Sequence, residues 1–145
     1  GAQRAIPESI KPTFADFDVF GDENAEKAII TYGRTFSACA FAYEKLVNSG
    51  ESVKLIKLNR IIPVCEGAVE AAKNCKDVYF FEEGIRRGGA GEGFLFDLSK
   101  AGFSGKYHLR AIENGFVKQA SVESLLHKYG FDEEGVLSFV TSAED

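Results

Sequence analysis

A glycine-rich stretch with adjacent charges is the part of this chain whose residue types could do chemistry. It follows the apolar run 78–81 and combines two acids, two arginines and closely spaced glycines. The candidates for a contact with an anion or with another protein surface are Glu82, Glu83, Arg86, Arg87, Gly88, Gly89 and Gly91. The pattern predicts a strand, a tight turn and the start of a helix, and the carboxyl ends of strands in α/β sheets are where ligands and partners bind.

The glycines do not match either of the phosphate-binding patterns that they resemble. After Gly89 a P-loop needs lysine and then serine or threonine, but Ala90 and Gly91 follow. A dinucleotide fingerprint that starts at Gly89 would need glycine or alanine where Phe94 stands. We therefore interpret the glycines mainly as residues that let the chain turn and pack closely, with direct phosphate binding as the weaker alternative. This interpretation predicts a positive φ at Gly89, where valine would destabilise the domain.

The charged side chains of the stretch favour a contact rather than acid–base catalysis. Adjacent residues on a strand point to opposite faces, so Glu82 and Glu83 do not form a general acid and base couple. We expect one of them to orient the glycine turn and the other to face solvent or a neighbouring domain. Arg86 and Arg87 are candidates for binding an anion, or acids of another domain or subunit. An ordinary solvated loop is an equal alternative.

Composition predicts one globular domain. The chain has 145 residues, of which 45% are hydrophobic and 12% aromatic, enough for a single core. We expect a linker and tag remnant at 1–16, because Gly1 stands where methionine would start a chain, and a domain at 17–145. The net charge of −5 argues against nucleic acid or an anionic membrane as partner. Charge or glycine interrupts every apolar run, which predicts a cytoplasmic protein.

The cysteines and histidines suggest structural roles. Cys39, Cys65 and Cys75 are odd in number and form no Cys-x-x-Cys pair, so we expect reduced, mostly buried thiols. His108 alternates with apolar residues in a predicted strand, and His127 lies in a polar helical segment. Nothing in their spacing places either imidazole beside a cysteine as its base.

Hydrophobic periodicity predicts alternating strands and helices. The predicted strands are 14–20, 27–32, 53–58, 77–81 and 106–112, and the predicted helices are 35–48, 66–74, 91–100, 121–129 and 132–142. This order favours a mostly parallel sheet covered on both faces. The short connection 21–24 predicts that the first strand is antiparallel to the second, its neighbour. In the helix 91–100 we expect Phe94, Leu95 and Leu98 to face inward.

The segments also resemble a known family. Ile29-Ile30-Thr31-Tyr32-Gly33, the run 53–63, Val78-Tyr79-Phe80-Phe81-Glu82-Glu83-Gly84 and Gly88-Gly89-Ala90-Gly91 together resemble the C-terminal domain of the transketolase superfamily. The tail, with Ile112-Glu113-Asn114-Gly115-Phe116-Val117 followed by the run 121–135, is similar to the end of the 1-deoxy-D-xylulose-5-phosphate synthases.

This resemblance implies a three-layer α/β/α fold with a mixed five-stranded sheet whose first strand is antiparallel. It also implies a longer enzyme that uses thiamine diphosphate and magnesium to join a fragment of pyruvate to glyceraldehyde 3-phosphate. The family holds its cofactor between the other two domains, so no catalytic, cofactor-binding or metal residue transfers to this chain. The implied role is structural, in contact with the other domains and supporting a homodimer. The alternative is a partner-docking domain, as in transketolases or pyruvate dehydrogenase beta subunits.

Overall fold

The computed structural model describes residues 15–61, 63, 65–83, 89–112, 136–137 and 140–141. Within these residues five strands and three longer helices alternate. They are β1 (Phe17–Phe20), β2 (Lys27–Thr31), α1 (Phe36–Asn48), β3 (Val53–Leu58), α2 (Glu66–Ala72), β4 (Asp77–Glu83), α3 (Ala90–Lys100) and β5 (Lys106–Ile112). A 3₁₀ turn, Gly33–Thr35, precedes α1, and Val136, Leu137, Val140 and Thr141 are helical.

The strands form one mixed sheet in the order β1-β3-β2-β4-β5. The pairs β2–β3, β2–β4 and β4–β5 are parallel, and β1 is antiparallel, as the sequence predicts. The predicted neighbour of β1 is wrong, because β1 pairs with β3 and not with β2. The chain leaves β1 at Gly21, whose φ is 106° and whose backbone lies against Val53 at the start of β3. The connection therefore passes the end of β3 to reach β2 and does not form a hairpin.

Two apolar cores, one on each face of the sheet, define three layers. On one face Ile29, Leu55 and Tyr79 pack against α1 and against Val136 and Val140. On the other face Ile30, Ile56 and Phe80 pack against α2 and α3. Successive strand residues alternate between the two cores, since side chains of a strand point alternately to its two faces. The predicted three-layer α/β/α fold is confirmed.

The element ends differ from the sequence prediction by a few residues. Helix α2 ends at Ala72, β4 continues to Glu83, and α3 begins at Ala90. In α3 Phe94 and Leu98 are buried as predicted, but Leu95 is 37% exposed, so its predicted inward position is wrong. A helix turns by about 100° per residue, so Leu95 lies next to the buried face of α3 and not on it.

Several predictions fall outside the described residues. They concern the linker up to residue 14, the helix 121–129, most of the helix 132–142, and the tail that carries the resemblance to the synthases. No helix of the described part is long and apolar enough to span a membrane.

The three cysteines are free and buried, as expected. Cys39 lies on α1 with no measurable exposure, and burial raises the pKa of its thiol to about 12. Cys65 and Cys75 lie at either end of α2. Because the thiolate is the nucleophilic form of cysteine, burial and the raised pKa disfavour reaction at Cys39.

Candidate functional site

The carboxyl ends of β2 and β4 meet at the point where the strand order reverses. The chain runs from β2 to β3 on one side and then crosses to β4 on the other side of β2. In open α/β sheets this switch point is the usual place for a binding crevice. Tyr32 follows β2 there, Glu82 lies near the end of β4, and the first turn of α3 contains Gly91. These residues form the candidate site.

Glu82 is a buried carboxylate at the amino end of α3. Its side chain is 1% exposed. Its Oε2 atom accepts hydrogen bonds from the Tyr32 hydroxyl at 3.1 Å and from the Gly91 backbone N–H at 3.2 Å. Among the described residues its Oε1 atom has no hydrogen-bond partner. The Gly91 N–H is one of the donors that a helix start leaves unpaired, and a negative charge is favourable at that end of the helix.

Gly91 is a position where α3 lies close against the sheet. A Cβ atom there would lie 2.4 Å from Leu109 Cδ1, 2.9 Å from Glu82 Oε1 and 3.2 Å from Phe80 Cδ1. The Tyr107 hydroxyl of β5 donates a hydrogen bond to the Gly91 carbonyl at 2.6 Å. The absence of a side chain at Gly91 therefore makes room for the Glu82 carboxylate.

Gly89 does not have the backbone conformation predicted from the sequence. Its φ is −81° and its ψ is 175°, an extended conformation that residues with side chains adopt readily. The prediction of a positive φ at Gly89 is therefore wrong, and so is the argument that valine would be strained there. The close packing expected of the glycine turn is found at Gly91.

Burial sets the ionisation behaviour of this site. Removal from water raises the pKa of Glu82, while the bonds from Gly91 and Tyr32 act in the opposite direction. Burial, together with the negative charge of Glu82, also raises the pKa of Tyr107. The site thus contains a carboxyl group that holds its proton to a higher pH than an exposed glutamate.

We expect the domain to become less stable as the pH rises through the titration of Glu82. The pKa of Glu82 is higher in the folded than in the unfolded chain, so the folded state binds more protons over that range and its stability falls with rising pH. Glu82→Gln cannot titrate. We compare the free energies of unfolding of Glu82→Gln and of the original chain. The value for Glu82→Gln minus the value for the original chain should become more positive as the pH rises. Urea unfolding from about pH 4 to about pH 8 measures this difference. A difference that is constant or that decreases would contradict the assignment.

The structure brings together only part of the stretch singled out in the sequence. Glu82, Gly89 and Gly91 lie at the junction of β4 and α3, with Glu82 bonded to Gly91. The Glu83 side chain and residues Arg86, Arg87 and Gly88 lie outside the described part, so their contact with an anion or a partner stays a prediction.

Sequence reasoning missed the two tyrosines of the site. Tyr32 follows β2 and Tyr107 lies near the start of β5, both outside the glycine turn. For Tyr32 the available signal was topological: residues that follow β2 and β4 must meet if these strands are adjacent and parallel. His108 lies at the opposite edge, where its Nε2 is 3.0 Å from Asp77 Oδ1 and its ring stacks on Tyr79. This arrangement agrees with a structural role.

Among the described residues, the N–H donors at this helix end do not suit a diphosphate. The Gly91 N–H is already bonded to a carboxylate, and Glu92 adds a second acid in the first turn of α3. The described residues also contain no group of three or more histidine, cysteine, aspartate or glutamate side chains arranged to hold a metal. The site is suited to fixing α3 on the sheet.

The mixed sheet with an antiparallel edge strand and a helix fixed at the switch point defines an α/β domain of a known type. The family model of the transketolase C-terminal domain matches residues 21–136. This chain therefore belongs to the transketolase C-terminal domain family. A solved structure described as "Split gene transketolase, inactive beta4 tetramer" matches with a TM-score of 0.77 and 21% sequence identity. The match covers 95% of this chain and 46% of that one, and it supports the fold.

Similar full-length proteins carry the name 1-deoxy-D-xylulose-5-phosphate synthase. The protein of Bacteroides fragilis is 29% identical over 116 residues, which is 79% of this chain and 18% of that protein. The protein of Shouchella clausii is 26% identical over 121 residues, or 83% of this chain and 19% of that protein. The protein of Bacillus mycoides is 30% identical over 118 residues, which is 79% of this chain and 19% of that protein. The chain thus spans about a fifth of the length of these relatives.

Proposed function

We propose that this chain is the C-terminal domain of a 1-deoxy-D-xylulose-5-phosphate synthase, which joins pyruvate and glyceraldehyde 3-phosphate and releases carbon dioxide. The observation that carries the proposal is the similarity to proteins of that name over 79–83% of the chain. The role of the domain is structural: it contacts the other domains of its own polypeptide and supports a cytoplasmic homodimer. No nucleic acid or membrane is a partner.

The domain is inert alone in this proposal. Thiamine diphosphate and magnesium belong to the other parts of the full-length enzyme, where the cofactor supplies the carbanion chemistry of pyruvate decarboxylation. The residues described here support that division, because the glycine-rich helix end holds the Glu82 carboxylate where a phosphate would need donors. Glu83, Arg86 and Arg87 are the proposed charged contacts with the neighbouring domains, an arrangement that leaves Glu82 to position the turn.

Calorimetry and an activity assay test this function together. We expect the 145-residue chain to show no heat of binding with thiamine diphosphate and magnesium, while the full-length polypeptide that contains it binds both. The full-length polypeptide should convert pyruvate and glyceraldehyde 3-phosphate to 1-deoxy-D-xylulose 5-phosphate with release of carbon dioxide. Micromolar binding of the cofactor by the chain alone would contradict its inert role.

The alternative is a partner-docking domain of a transketolase or of a protein like a pyruvate dehydrogenase beta subunit. It is favoured by the structural likeness to a protein described as a split-gene transketolase that forms a beta4 tetramer. Transfer of a two-carbon unit from a sugar phosphate, without release of carbon dioxide, would support the alternative and overturn the synthase assignment.

A further inference from the structure

A small groove lies at the edge of the sheet opposite to the candidate functional site. It is formed by residues 19–21 at the end of β1 and by the face of α1 that carries Tyr43, Glu44, Val47 and Asn48. We call it the β1–α1 groove. Because β1 is antiparallel, its end lies beside the start of β3, whereas the candidate site lies at the carboxyl ends of β2 and β4. The groove has a volume of about 470 Å³, a size that is usual for a small-molecule site.

The walls of the β1–α1 groove are apolar and partly exposed. Val19 on β1 is 38% exposed and Val47 on α1 is 42% exposed, while Phe20 is half-buried. Large apolar side chains that stay partly exposed around a concave surface are typical of a place where a ligand with an apolar body binds.

A buried tyrosine brings a polar group to this groove. Tyr43 is only 8% exposed, and its hydroxyl group has no hydrogen-bond partner among the described residues. A Cβ atom at Gly21 would lie 2.8 Å from that hydroxyl oxygen. The absence of a side chain at Gly21 therefore leaves space next to the hydroxyl, and a ligand in the groove can supply the partner that a buried tyrosine usually has.

Glu44 adds a negative charge without a counter-ion. It is half-buried, and its side chain forms no ion pair or hydrogen bond within the part of the chain that the structure describes. Ala40 and Asn48, four residues away on either side along α1, carry no charge. Burial and, after it, the negative charge of Glu44 raise the pKa of Tyr43, which agrees with a carboxylate near the hydroxyl. Both groups offer oxygen atoms that accept hydrogen bonds from an ammonium group.

We infer that the β1–α1 groove binds a small organic amine, a primary ammonium group on a short apolar body. The ammonium group lies between the Glu44 carboxylate and the Tyr43 hydroxyl, and the apolar body lies between Val19 and Val47. Charge decides for an amine over an anion or a neutral ligand, because the lining residues include one acid and no base. The net charge of −5 also favours a cation. This site goes beyond the proposed function and does not depend on it.

Titration of the chain with benzylamine, followed by NMR, tests the inference. Benzylamine is a cation at neutral pH, and benzyl alcohol is a neutral molecule of the same shape. We expect saturable shifts of the Gly21, Val47 and Asn48 amide signals with a Kd of about 1 mM for benzylamine, and at least about tenfold weaker binding of benzyl alcohol. Equal binding of the two molecules, or shifts that do not saturate, would overturn the inference.

Two substitutions identify the groups that hold the amine. Glu44→Gln should weaken benzylamine binding at least about tenfold and change benzyl alcohol binding less than about twofold. Tyr43→Phe removes only the hydroxyl and should weaken benzylamine binding about three- to tenfold. Glu66→Gln is the matched control and should change neither, since Glu66 is an exposed acid of α2, which packs on the other face of the sheet. Equal losses in Glu44→Gln and Glu66→Gln would contradict the site.

A lysine side chain of another protein carries the same chemistry as a free amine. Nα-acetyllysine methylamide is the probe for that source, titrated in the same way. We expect it to bind no more tightly than benzylamine, because the groove is short and its walls are apolar. Binding at least about tenfold tighter than that of benzylamine would overturn the assignment to a free amine.

Discussion

Gly91→Ala should destabilise the domain by about 1–3 kcal/mol, the usual range for an extra methyl group in a packed core. The new Cβ would lie 2.4 Å from Leu109 Cδ1 and 2.9 Å from Glu82 Oε1. Leu109 can change its rotamer, but the Glu82 carboxylate is held by Tyr32 and by Gly91 itself. The free energy of urea unfolding measures the effect.

The same substitution two residues later on α3 provides the matched control. A Cβ at Gly93 would have open space around it, so Gly93→Ala should stabilise the helix by about 0.5–1 kcal/mol through helix propensity alone. Both variants are measured at the same protein concentration. Two variants of equal stability would show that α3 does not pack on the sheet as described.

Glu82→Ala should lower the free energy of unfolding by about 2–4 kcal/mol, as much as Gly91→Ala or more. It removes the acceptor of the Gly91 N–H and of the Tyr32 hydroxyl and leaves a cavity at a position that is 1% exposed. Glu82→Gln keeps an oxygen acceptor, so its free energy of unfolding should fall by less than that of Glu82→Ala. Thermal and urea unfolding of both variants at neutral pH measure the difference. Equal losses in the two variants would mean that the hydrogen bonds at Glu82 do not hold α3.

The sequence was sufficient to predict the strands and the layers, because apolar periodicity directly reflects burial. The runs that became β3 and β5 were predicted with their observed ends. The partner of β1 was not predictable in the same way. A short connection such as 21–24 favours a hairpin, but the pairing of β1 depends on where β3 lies, which is a property of the whole sheet.

The candidate site was predictable in its location and only partly in its chemistry. Adjacent acids on a strand must face opposite ways, which predicted that one of them would orient the glycine turn. Alternation alone does not determine which acid turns inward, and the structure places Glu82 there. Tyr32 and Tyr107 reach the site only through strand order. The exposure of Leu95 was also not apparent, since it is an apolar residue next to the buried Phe94.

The central position of β2 has a consequence for how the chain is made. Ribosomal synthesis proceeds from the amino terminus, and β2 is complete well before β4, the strand that covers its second edge. Until then Ala28, Ile29 and Ile30, which are fully buried in the finished domain, lie on a strand with one open edge. Open apolar edges are templates for pairing with other chains. Pairing of residues 77–83 with β2 closes that edge.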